Sequence, residues 1–130
     1  MAKKLQEIPV SEAPRNEVVL VGRVSSAPAE RALPSGDVLL TWRVVVDRPL
    51  EPTAKRSGEE GAAGRRTPTV DALDCVARTA GVRRTVAGWA EGDVVHVEGA
   101  LRRRFWRGPS GLVSRHEIEI RTARRLRRAA

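Results

Sequence analysis

The amino-acid sequence predicts an all-β domain, a five-stranded barrel with one helix between its third and fourth strands. Three observations predict it. The apolar content is mostly Val, Leu and Ala, with no Tyr, one Phe and three Trp, so branched aliphatics must fill the core, and these suit strands. Five runs of strand length are separated by clusters rich in Gly, Pro, Ser and Asp. Between the third and fourth runs the apolar spacing changes to four and three, the period of a helix. The 130 residues are enough for one domain, and 41% hydrophobic content is enough to fold it.

Residues 1–15 mix Lys, Glu, Pro and Ser without periodicity and read as a mobile extension. From Glu17, EVVLVGRV is a β-branched strand interrupted by Gly22, the mark of a bulge or a barrel corner. Pro34-Ser35-Gly36-Asp37 is a turn signal. The second strand, 38–47, sets Leu40, Trp42, Val44 and Val46 on one face and Leu39, Thr41, Arg43 and Val45 on the other. Residues 48–68 are rich in Pro, Gly and charge and form a long flexible loop, functional or disordered. TVDALDCV, 69–76, is the third strand, with Asp71 and Asp74 on opposite faces. Val82, Val86 and Trp89 make one stripe of a helix over Thr79–Ala90, ended by Gly92. Asp93–Trp106 is a long strand bent at Gly99, RGPSG its hairpin loop, and 112–120 the returning strand. The order strand, strand, loop, strand, helix, strand, strand is that of the oligonucleotide-binding barrel, over 16–122. Residues 123–130 trail off as a basic tail.

The net charge of +8 is unevenly placed. Residues 1–101 carry 14 Lys/Arg against 14 Asp/Glu, whereas 102–130 carry ten Arg against Glu117 and Glu119. Clustered Arg, with its planar fork, points to a polyanion partner; a solvated basic surface is the plainer alternative. One cysteine, Cys75, excludes an intrachain disulfide and fits a reducing cytoplasm. No apolar run is long enough for a membrane helix and no secretory signal is evident. His96 and His116 have no partners at metal-ligand spacing, and no nucleophile–base pair, phosphate loop or carboxylate pair is present. Neither a metal nor a cofactor is expected, and no enzymatic activity.

Particular residues resemble the bacterial single-stranded DNA-binding protein family. They are Asn16-x-Val18-x-Leu20-Val21-Gly22-x-Val24, Pro28-Ala29-Glu30-Arg31 with Gly36, Leu39 to Val46, and Gly92-Asp93-x-Val95-x-Val97-Glu98-Gly99-x-Leu101-Arg102-x-Arg104-x-Trp106. Ser110-Gly111 and His116-Glu117-Ile118 close the series. The resemblance implies a non-enzymatic binder of single-stranded DNA in replication, recombination or repair, a homotetramer dimerising through its first strand, in the cytoplasm on the nucleoid. Trp106, Arg102, Arg104 and Arg31 match the family's binding residues. Val70 and Val76 stand where it places stacking aromatics, and Pro49 and Leu50 where it has another. Its acidic C-terminal tail is replaced by Arg124, Arg125, Arg127 and Arg128, so tail-mediated protein partners are not expected.

Strand alternation puts Arg102, Arg104 and Trp106 on one face and Leu101, Arg103 and Phe105 on the other. Trp106 is then displayed among arginines, able to stack on any base, although packing at the hairpin base is the alternative. Phe105 either packs under the hairpin or stacks beside Trp106. Arg107 is added as a contact at the hairpin tip, and Arg43, opposite in face to the core-facing Trp42, as a groove residue. Lys55, Arg56, Arg65 and Arg66 are either a clamp over DNA or part of a disordered loop. Two other readings stay open: an RNA-binding barrel, and an assembly module that has lost DNA binding.

Overall fold

The structure, a computed structural model, describes residues 9–49 and 69–130. A single 3-10 turn, Val10–Glu12, precedes six strands and one helix: β1 (Val18–Val24), β2 (Ala29–Ala32), β3 (Val38–Asp47), β4 (Val70–Ala77), α1 (Ala80–Ala87), β5 (Val94–Gly108) and β6 (Gly111–Arg127).

Five of the strands close a barrel. β1 pairs antiparallel with β5 from Val18↔Gly99 to Arg23↔Val94, then turns so that Arg23 and Val24 pair with Val45 and Val44 of β3. β3 pairs with β4, β4 runs parallel to β6 at Cys75↔Ile118 to Ala77↔Ile120, and β6 returns along β5. The short β2 lies outside this ring, hydrogen-bonded to the first residues of β3. The corner in β1 falls at Gly22, where any Cβ would collide with the carbonyl of Val45. Gly99 has the same role in β5, since a Cβ there would strike the carbonyl of Glu119. The expected fold, a five-stranded oligonucleotide-binding barrel with a helix before its fourth strand, is the one observed.

The alternation of β3 holds from Leu40 to Val44: Leu40, Trp42 and Val44 are buried in the core with Val95, Val97, Ile118 and Ile120, Val46 is partly buried, and Leu39, of the opposite parity, is buried as well. Thr79 caps α1 by accepting the Val82 amide at 3.4 Å, and Val82 and Val86 turn inward. Trp89 meets Trp42 edge to face, with ring centroids 5.8 Å apart, closing one end of the core. The helix is shorter than its predicted span because Gly88 takes the C-cap position.

Two boundaries differ from the sequence reading. The hairpin loop contracts to Pro109 and Ser110, because Trp106↔Val113, Arg107↔Leu112 and Gly108↔Gly111 continue the ladder and Gly111 supplies the positive φ the turn needs. The basic tail is largely strand: β6 bulges at Arg121 and continues to Arg127, pairing Thr122–Arg127 with Val94–Glu98. Apolar alternation is not needed there, because the stretch is held by backbone pairing and by Asp93. Asp93 accepts the Ala90 and Ala129 amides at 2.9 and 2.8 Å and meets Arg125 at 3.4 Å. Those two amides, ahead of Arg125, hold its carboxyl below the usual carboxylate range.

Candidate nucleic-acid interface

The outward face of the β3–β4–β6–β5 sheet forms a groove. Register places Arg43 beside Asp74, and Arg102, Arg104 and Trp106 on the same face as Glu117, Glu119 and Arg115. At one end the groove is lined by Arg31, Thr41, Arg43, Asp74, Arg115 and Glu117. At the other, Arg31, Arg115 and Glu117 continue into a hollow bounded by Leu33, Pro34, Arg104 and Trp106. The two hollows are therefore one path from β3 to the hairpin. Trp106 stands at its far end, 46% exposed.

Acids organise the arginines. Asp74 accepts Arg43 Nε at 2.9 Å and Arg115 Nη2 at 2.9 Å. Burial alone would raise the Asp74 pKa, but the hydrogen bonds and charges of these two arginines outweigh it and hold the carboxyl below its ordinary value. Glu117, buried, lies 3.4 Å from Arg104 and 3.8 Å from Arg78, and Glu119 accepts Arg102 Nε at 3.0 Å. Six guanidinium groups, with Arg31, thus share this face with three carboxylates. The pairs made by Asp74 and Glu119 are solvent-accessible and worth at most about 1 kcal/mol each. A phosphate can displace the carboxylate from Arg43, Arg102 or Arg115 at little cost, while the acids keep the forks oriented beforehand.

Sequence-derived candidates separate cleanly. Arg31, Arg43, Arg104 and Trp106 line the groove, and Arg102 lies on its face. Phe105 does not join them: it points from the opposite face of the hairpin, where Arg103 packs over its ring at 4.8 Å from the centroid. It neither packs beneath the hairpin, being 56% exposed, nor stacks beside Trp106. Arg107 shares that opposite face, because it pairs with Leu112 next to the turn. Arg65 and Arg66, with Lys55 and Arg56, lie outside the described residues. Val76, at a position where an aromatic would matter, is 1% exposed and offers no surface to a ligand.

The sequence reading missed Arg115, Asp74, Glu117 and Arg78. Arg115, Glu117 and Glu119 are spaced by two in SRHEIEI, a pattern that puts them on one face; which face required the register with β5. Cys75, behind Asp74, is a core residue whose thiol pKa burial, aided by the Asp74 charge, pushes up to about 12. Among the described residues no group of three or more His, Cys, Asp or Glu is placed to hold a metal, and no helix is long and apolar enough to cross a membrane.

Comparison with known proteins agrees with the fold. Among solved structures, the chain is similar to one described as a Plasmodium falciparum SSB complex with ssDNA, with a TM-score of 0.67 at 20% identity, covering 88% of this chain and 97% of that one. At that identity the likeness is one of fold. Comparison with curated proteins gives no match. The model of the single-strand binding protein family matches residues 15–126. That match spans the barrel, from just before β1 to the end of β6, and the family is one of non-enzymatic binders of single-stranded DNA. The chain belongs to the single-strand binding protein family.

Proposed function

We propose that the groove holds single-stranded DNA by stacking a base on Trp106 and gripping the phosphates on either side with Arg31, Arg43, Arg104 and Arg115. The observation that carries this reading is the placement of one half-exposed tryptophan at the end of a path walled by arginines. Single-strand binders without sequence preference combine such a basic track with an aromatic platform. The solved relative from Plasmodium falciparum has its fold in complex with ssDNA, which supports the same ligand here. Relative to a groove with several stacking rings, this one relies more on arginine, so its affinity falls more steeply with salt.

The protein then protects exposed strands in replication, recombination or repair, in the cytoplasm on the nucleoid. Its assembly is a homotetramer: Val19 and Val21 stand exposed on the outer face of β1, an apolar strip that a second copy would cover. Light scattering should give four chains, and a mass of one chain removes the assembly claim.

The test of the ligand is competition at one salt concentration among oligo-dT, the matched oligo-rU and a duplex of equal length. Preference for oligo-dT over both supports the proposal. Preference for oligo-rU makes the barrel an RNA binder, and no measurable affinity for any of them at low salt leaves an assembly module.

A further inference from the structure

The β5–β6 hairpin has a second face. β1 pairs with β5 only as far as Gly99, and β4 pairs with β6 only over Ile118–Ile120. The pairs from Arg102↔Glu117 to Gly108↔Gly111 therefore belong to a two-stranded ribbon standing off the barrel, with both faces available. One face is the wall of the groove. The other carries Arg103, Phe105, Arg107, Leu112, Ser114 and His116, by the same uninterrupted register.

The two faces differ in chemistry. Among the described residues, every ion pair of the ribbon's arginines is on the groove face: Arg102 with Glu119, Arg104 with Glu117, Arg115 with Asp74. Residues 103–116 carry no carboxylate on either face, and among the described residues no carboxylate pairs with Arg103 or Arg107 from elsewhere. Phe105 is 56% exposed and Leu112 is 72% exposed. Arg103 lies over Phe105, its Cζ 4.8 Å from the ring centroid, and donates to Ser114 Oγ at 3.3 Å, so ring and guanidinium form one preset surface. An unneutralised cationic surface around an exposed ring is matched by phosphates and bases, whereas an apolar protein partner would leave Arg103 and Arg107 without counter-charge.

We propose that this far face is a second contact for the same single strand, which passes over the hairpin tip after leaving Trp106 and comes down across Phe105, Arg103 and Arg107. The inference rests on the groove reading, and extends the site beyond the groove face. A short oligomer filling the groove never reaches it; a long one does.

The experiment compares oligo-dT of about 8 and about 30 nucleotides, the first within and the second beyond the roughly 4–16 nucleotides that one such barrel occupies. The proteins are wild type, Phe105→Ala, and the double variant Arg103→Glu/Arg107→Glu. The expected result is short-oligomer affinity within about twofold of wild type in both variants, which also shows that they fold. Long-oligomer affinity falls about tenfold for Phe105→Ala. In the double variant the salt slope for the long oligomer becomes shallower by about 1.4, two phosphate contacts at about 0.7 each. Unchanged long-oligomer binding, or equal losses for both lengths, overturns the inference while leaving the groove in place. A change of assembly mass without DNA in either variant also overturns it, because the face is then covered by another copy. Wild type that binds neither length brings down the groove reading itself.

Discussion

Replacing Trp106 by Ala isolates the stacking contribution. The ring is 46% exposed, so about half of it is free for a base, and it borders the hollow that Leu33 and Pro34 also line. A base stack on an aromatic is worth about 1–3 kcal/mol, and a half-free ring at a groove end belongs near the middle, about 2 kcal/mol. That predicts a loss of about 30-fold in affinity for oligo-dT. The folded state loses little, because the residue stands on the ribbon and outside the core cluster. Intrinsic fluorescence makes the assay specific. Trp42 and Trp89 are 5% and 4% exposed, so Trp106 alone can be quenched by a stacked base. Wild type should show quenching on titration, and Trp106→Ala should bind weakly with none, followed instead by anisotropy of labelled DNA. Affinity within twofold of wild type, or quenching that survives the substitution, refutes the stacking argument.

Four further outcomes follow from the fold and its buried groups. Gly99→Ala should destabilise by about 3 kcal/mol and lower the melting temperature by about 10 °C, since its methyl meets the Glu119 carbonyl; an unchanged melt would contradict the close approach. Removal of residues 122–130 should cost about 3 kcal/mol, because these residues complete the β5 ladder; a disposable tail would cost nothing. The Asp93 carboxyl has a pKa below its ordinary 3.8 in the folded state. Its stabilisation is therefore fully present above 3.8, declines as pH falls through that value, and is gone below the native pKa. Thermal melts from pH 6 to pH 2 should show this loss in wild type and a smaller one in Asp93→Asn, and parallel curves would contradict it. Cys75, buried and with its thiol pushed up to about 12, should resist iodoacetamide at neutral pH until the protein is unfolded, and rapid native labelling would show the site to be open.

Much of this was legible in the sequence because period-two patterning reports burial. Leu40, Trp42 and Val44 on β3, and Val95 and Val97 on β5, announce an inner face, and the opposite parity then places Arg43 and Trp106 outside. The helix was legible from Val82, Val86 and Trp89, whose spacing of four and three makes one helical stripe. What escaped was set by pairing and not by pattern. The continuation of β6 past Ile120 is held by backbone bonds and Asp93, neither of which leaves an apolar signature in TARRLR. Alternation set Phe105 on the face opposite Trp106 but did not say whether it was covered or stacked; its exposure and the packing of Arg103 over its ring decided it. Arg115 and Asp74 lie 41 residues apart and meet only because β4 and β6 run parallel.

The most direct test of the account is a salt series with a short oligo-dT and the wild-type protein. Four groove arginines, Arg31, Arg43, Arg104 and Arg115, each neutralising one phosphate, predict that log affinity falls linearly with log salt at a slope of about −3. A slope near zero, or no binding even at low salt, would contradict the claim that this groove holds a single strand.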